Sequence, residues 1–280
     1  MIFEKIYLKD VMKGIDTDAT LTVYCRSQSS EIASFPRASI LICPGGGYHF
    51  TSAREAEPVA LKFVAKGFNA FVLNYSTSDS STKKHPTQLL EASAALAYIR
   101  RNCGKYNVKK DAVVVCGFSA GGHLAASLGT LWNESVVTDT LDIEYGENRP
   151  DAMILCYPVI SGGEFAHRGS FDNLLGENPD KELLFKLSLE NSVGKHTPPA
   201  FIWHTFPDET VPCENTLLFA SAMKRADIPF ELHIFPDGPH GLSLATRETD
   251  SSNPEVDRIK EHVSAWFELC SAWLTRYLVK

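Results

Sequence analysis

Residues 117–121 read Gly-Phe-Ser-Ala-Gly, one serine with a glycine two places before it and another two places after. Four apolar residues precede the motif at 113–116, and a run with helical spacing follows it through Leu124, Leu128 and Leu131. A serine at the apex of a sharp strand-to-helix turn needs a tight, strained backbone, and side chains two positions either way would collide with that turn. Gly117 and Gly121 remove them, and Gly122 lets the helix pack closely on a neighbouring strand. Ser119 then stands at a helix N-terminus, where partial positive charge favours a developing anion. The chemistry this predicts is nucleophilic attack by the Ser119 hydroxyl.

Such a nucleophile needs a base, an acid that orients the base, and donors for the oxyanion. In this architecture the acid and then the base follow the serine in chain order, each just after a later strand. Nine histidines compete for the role of base. His240 lies in FPDGPHGLSLA, directly after the apolar run 230–235, in a loop between Pro239 and Gly241. His204 and His233 fall inside expected strands, His262 on the last helix and His85 in an early loop. His123 is one helical turn beyond Ser119, placed to pack or hydrogen-bond beneath the turn. For the acid, WHTFPDETVP offers Asp208 just past the run 200–205, with Glu209 next to it; Asp237 is too close to His240 in sequence and reads as a turn residue. One oxyanion N–H is expected from Ala120, the residue after the nucleophile, and the others from the loop after an early strand. SILICPGGGYHF supplies that loop, with glycines at 45, 46 and 47. It lacks the G-K-[ST] ending of a phosphate loop and the G-x-G-x-x-G spacing of a dinucleotide site.

These residues must be positioned by a scaffold, and its signal is alternation. Short apolar runs at 39–43, 69–75, 112–117, 152–159, 200–205 and 230–235 fit buried strands. Helical spacing appears at 55–66, 86–102, after Ser119, at 214–225 and at 256–278. Buried strands alternating with helices predict an α/β fold with a mostly parallel sheet covered on both faces. Two early segments, 3–8 and 19–25, alternate more and are expected as edge strands. The long polar stretch 161–199 is expected as a small cap over the C-terminal strand edge, where such sheets place ligand sites. The whole, 1–280, reads as one domain.

Composition narrows the partners. A net charge of −7 with both signs spread along the chain argues against nucleic acid and anionic membrane. No run is long enough to span a bilayer, and MIFEKIYLKDVMKG at the N-terminus lacks an apolar leader core. Seven cysteines without a C-x-x-C pair suit a reducing compartment, so the expected location is cytoplasmic. The histidines and cysteines have no ligand spacing, and neither a metal nor a cofactor is expected. The expected partner is a small-molecule ester, and a homo-oligomer is compatible with the chain.

PGGGY at 44–48, GFSAGGH at 117–123, D-x-x-V-P at 208–212 and GPHG at 238–241 together resemble the α/β-hydrolase superfamily. More closely, they are similar to small serine carboxylesterases grouped with acetyl esterases, acetyl-xylan esterases and hormone-sensitive-lipase-like enzymes. The resemblance implies Ser119 as nucleophile, His240 as base, Asp208 as its orienting acid, and Gly46, Gly47 and Ala120 as oxyanion donors. One departure matters: lipase-type relatives open the oxyanion loop with His-Gly-Gly-Gly, and here Pro44 stands in place of that histidine. The expected activity is therefore hydrolysis of short acyl esters, acetylated sugars among them, with a peptidase or amidase on the same machinery, or a non-catalytic binding protein, as the rival readings. Tyr48 and Phe206 are expected at the substrate pocket; His49, Phe50 and Trp203 also flank the motif loops.

Overall fold

Alternate residues of the central apolar runs face opposite ways, which is why those runs are apolar throughout. In the computed structural model, which describes residues 1–253 and 255–278, Leu41, Cys43, Val113, Val115, Met153 and Leu155 pack on one side of a single sheet. Their neighbours Ile40, Ile42, Val114, Cys116, Ile154 and Cys156 pack on the other. The strands are β1 (Ile2–Tyr7), β2 (Thr20–Cys25), β3 (Arg37–Cys43), β4 (Asn69–Asn74), β5 (Val108–Phe118), β6 (Ala152–Cys156), β7 (Ala200–Thr205) and β8 (Phe230–Phe235). Their order across the sheet is β1-β2-β4-β3-β5-β6-β7-β8. The pairs β1–β2 and β2–β4 are antiparallel and every other pair is parallel.

Helices α1 (Glu57–Ala65), α2 (Thr87–Arg101), α3 (Ala120–Leu131), α4 (Arg168–Leu175), α5 (Lys181–Leu187), α6 (Glu214–Arg225) and α7 (Trp266–Leu278) cover the sheet and its C-terminal edge. The face of Leu41 and Val115 is covered by α2, α3 and α6, and that of Ile42 and Cys116 by α1 and α7. Phe63, Phe219 and Trp266 are fully buried at these seams, and a ring of that size contributes about 1.5–3 kcal/mol through removal from water.

Three expectations need correction. Residues 19–25 do not form an edge: β2 lies between β1 and β4, with nearly all of its side chains buried. Among the described residues β1 is the edge on that side, and its alternating half-buried and exposed residues fit one. The strand expected over 152–159 stops at Cys156, because Tyr157 takes a left-handed φ of 37° and Pro158 follows it. The helix expected over 256–278 becomes a short turn at Glu261–Ser264 followed by α7. The expected single span of 1–280 includes residues 254, 279 and 280, which lie outside the described residues. Among the described residues no helix is long and apolar enough to cross a membrane.

Parallel pairing brings the functional loops together. Cys43 pairs with Gly117, Phe118 with Cys156, and Thr205 with Phe235. The loops leaving β3, β5, β7 and β8 therefore emerge at one edge of the sheet, side by side.

Candidate active site

Ser119 occupies the turn between β5 and α3 with φ 53° and ψ −120°, a conformation that costs a non-glycine residue roughly 1–3 kcal/mol. The surroundings leave it no alternative. Its N–H donates to the Cys156 carbonyl, and its own carbonyl accepts from Val159 and His123. A Cβ on Gly117 would stand 2.0 Å from the Gly121 carbonyl oxygen, and one on Gly121 would stand 2.1 Å from that of Cys43. The two glycines are required by close backbone approach at the turn.

His240, five residues beyond the end of β8, reaches back across the edge of the sheet. Its Nε2 lies 2.8 Å from the Ser119 Oγ, and its Nδ1 lies 2.6 Å from Asp208 Oδ2. Asp208 is buried in the loop after β7, and its other oxygen, Oδ1, accepts the N–H groups of Thr210 at 3.0 Å and Val211 at 2.9 Å. Burial pushes the Asp208 carboxyl up, but hydrogen bonds from His204, His240 and Val211 more than reverse this and hold it well below the usual carboxylate range. A carboxylate there selects the Nδ1–H tautomer of His240, which leaves Nε2 as an acceptor for the serine proton.

The loop after β3 turns through Gly46 (φ 124°) and Gly47 (φ 64°). A Cβ on Gly46 would fall 2.1 Å from the Phe50 carbonyl oxygen, so this turn too excludes a side chain. The N–H of Gly45 is already donated to Glu55 Oε2. Those of Gly46 and Gly47 have no acceptor among the described residues. Ala120 opens α3, so its N–H lacks an intrahelical partner as well.

Beneath this loop His123 is fully buried, and burial pulls it down to about 4, so it is neutral at pH 7. Its Nε2–H donates to the Leu187 carbonyl, and its Nδ1 accepts the Tyr48 hydroxyl, each at 2.9 Å. Tyr48, expected at the pocket, is itself buried at 2 % exposure with its hydroxyl committed to His123. It offers no free polar group to a ligand; its ring instead walls an apolar recess with His123, Val159, Ser170, Phe171 and Leu174. That recess is too narrow to admit a water molecule. Phe206, in the loop after β7, is 71 % exposed, and Phe50 is exposed in the loop after the glycines. Trp203 is in the core, stacked on Trp266.

The cap segment 161–199 carries α4 and α5. Phe171, Leu174 and Leu187 turn inward and are buried, whereas Phe185 is 65 % exposed. Among the described residues, no group of three or more histidine, cysteine, aspartate or glutamate side chains could hold a metal ion.

Four residues near the triad escape the sequence reading of the site. His204, expected only as a strand residue, is fully buried, with Nε2 at 3.3 Å from Asp208 Oδ2 and 2.9 Å from the Val211 carbonyl. Tyr157 packs edge-on to His240, ring centroids 5.1 Å apart, and its place directly after β6 could have marked it. His167, in the cap, accepts from Ser170 through Nδ1, and burial and then the neighbouring His240 lower its pKa. Glu55 is buried behind the glycine loop, and nothing in its spacing signals it.

Residues 26–223 match the family BD-FAE. Among curated proteins the chain is 43% identical over 215 residues to endo-1,4-beta-xylanase B of Butyrivibrio fibrisolvens, covering 76% of this chain and 33% of that one. It is 32% identical over 214 residues to the acetylxylan esterase of Xylanibacter ruminicola, covering 74% and 42%. The chain thus spans well under half the length of these two relatives. Among solved structures it is similar to an acetyl ester-xyloside bifunctional hydrolase from Caldicellulosiruptor lactoaceticus, with TM-score 0.81, 40% identity, and 98% and 96% coverage. The carboxylesterase Cest-2923 from Lactobacillus plantarum superposes with TM-score 0.85 at 26% identity, covering 99% and 98%.

Proposed function

The chain belongs to the BD-FAE family and has the α/β-hydrolase fold, and from that premise we propose that it is a serine carboxylesterase hydrolysing short acyl esters, acetylated sugars among them. The observation that carries the proposal is the unbroken line from Asp208 through His240 to Ser119, with contacts of 2.6 and 2.8 Å. Ser119 attacks the ester carbonyl while His240 Nε2 takes its proton. The N–H groups of Gly46, Gly47 and Ala120 receive the oxyanion, and each such donor is worth about 3 kcal/mol of transition-state stabilisation. His240 then protonates the departing alcohol. Water, deprotonated by the same nitrogen, attacks the acyl-enzyme and releases the acid.

The short-acyl part is supported by the glycine loop, which opens with Pro44 rather than the histidine of lipase-type relatives. Phe171 and Leu174 also point inward, where a lipase lid would turn apolar surface outward. The acetyl-sugar part is supported by the relatives, one named an acetylxylan esterase and another an acetyl ester-xyloside hydrolase.

Fluorophosphonate labelling tests the nucleophile. Wild type should label and lose activity stoichiometrically, while a folded Ser119→Ala variant should do neither; labelling of that variant at wild-type speed would move the nucleophile elsewhere. A p-nitrophenyl ester series tests the acyl preference. kcat/KM should peak between acetyl and butyryl, and a maximum at octanoyl would restore a lipase reading.

A further inference from the structure

Glu55 is a carboxyl side chain that the chemistry above does not use, yet it touches the site from behind at two places. It is 2 % exposed. Oε2 accepts the N–H of Gly45 at 2.7 Å, one residue before the glycines whose N–H groups have no acceptor among the described residues. Oε1 accepts the hydroxyl of Tyr157, also at 2.7 Å. The Tyr157 oxygen in turn accepts the N–H of Ser243, three residues past His240, at 2.8 Å. The Ser243 hydroxyl donates to the Arg54 carbonyl at 2.7 Å, next to Glu55 itself, and closes a ring of contacts. Burial raises the Tyr157 phenol far above its ordinary value, so it keeps its proton and remains a donor to Glu55. Its ring stands at 72° to the His240 imidazole.

A buried carboxyl is a poor choice for stability alone, because an apolar side chain of the same volume would avoid its desolvation. Here both oxygens are satisfied, and each satisfies a different half of the site. One fixes the peptide that leads into Gly46 and Gly47. The other fixes, through Tyr157, the loop that carries His240, where Ser243 and Ala245 take left-handed φ values of 54° and 56°. We infer that Glu55 is a positioning residue that holds the oxyanion loop and the base loop in register with each other. The inference rests on the serine mechanism proposed above.

The test is a cycle of Glu55→Gln, Tyr157→Phe and the double variant, each assayed on an acetyl ester and titrated with a trifluoromethyl ketone. The ketone adds to Ser119 and places an oxyanion among the loop donors. Glutamine keeps the volume but turns one acceptor into a donor, so one half of the ring opens. kcat should fall about 30-fold in Glu55→Gln with KM changed less than about threefold, the scale of a sub-ångström misplacement. Ketone affinity should fall in parallel, and the double variant should be no worse than the poorer single one. Tyr157→Phe carries the test alone if Glu55→Gln does not fold. Wild-type kcat and ketone affinity in a variant with lowered Tm would overturn the inference and leave Glu55 a packing residue, and so would multiplying effects in the double variant. If wild type itself formed no ketone adduct, the serine mechanism would fall and the inference with it. Equal ketone binding by wild type and both single variants would sink the inference alone.

Discussion

Residues 113–129 and residues 161–199 meet above the same edge of the sheet, and they are built differently. The first stretch is shaped by backbone against backbone: a missing Cβ at Gly117 and Gly121, a strained φ at Ser119, and main-chain bonds from Ser119 to Cys156 and Val159. The second is shaped by side chains. Asp180 caps α5 with bonds to Glu182 and Leu183, His167 caps α4 through Ser170, and Phe171 and Leu174 dock inward. Main-chain geometry tolerates almost no substitution and fixes where atoms react. Side-chain packing tolerates many and decides what fits beside them. The elbow should thus control rate, and the cap selectivity.

The largest test of that division is Asp208→Asn. It should leave the fold intact and lower kcat by about 10⁴-fold, because the amide favours the wrong His240 tautomer. Near-full activity would transfer the orienting role away from Asp208. The cap counterpart is Phe171→Ala, which empties part of the recess. It should cost about 3–5 kcal/mol of stability by urea unfolding and shift the kcat/KM maximum toward hexanoyl esters. An unchanged acyl profile would separate the recess from acyl choice.

His123 joins the two regions, since its ring bonds Tyr48 under the glycine loop and Leu187 in the cap. Its folded pKa of about 4 lies below the unfolded value, so the neutral form belongs to the folded state. Its contribution is whole above about pH 6.5 and is lost as pH falls toward the folded value, at up to about 1.4 kcal/mol per unit. Urea unfolding between pH 7.5 and 4.5 should show a slope in wild type that His123→Gln flattens; parallel profiles would mean that this ring does not link the halves. The smallest effect is expected at Phe206→Ala. The exposed ring should change KM for aryl acetates about two- to threefold and leave Tm within a degree, since exposed side chains away from networks contribute little. A tenfold loss would make the rim part of the substrate grip.

Much of the sheet was legible because its strands are apolar on both faces and separated by helical spacing. The runs 200–205 and 230–235 agree with β7 and β8 residue for residue. The run 152–159 overshot because apolarity alone does not show that Tyr157 turns left-handed. Ser119, His240 and Asp208 were legible as types in order after strands, and the structure brings them into contact. Tyr48 is expected at the pocket from its place beside the glycines; that its hydroxyl has a buried partner 75 residues away could not be read from any local pattern.

By itself the sequence determined the class of fold, the turn that presents Ser119, and the order in which Asp208 and His240 follow it, because hydrophobic period, glycine and chain order are local properties. Tertiary structure alone decided that Glu55 and Tyr157 stand behind the site, that Tyr48 bonds His123, and that Phe171 and Leu174 pack beside Val159. These depend on contacts between residues tens to more than a hundred positions apart, such as Glu55 with Tyr157 and Tyr48 with His123. No local pattern encodes such pairs; parallel strand pairing and the packing of two helical layers bring them within hydrogen-bonding distance.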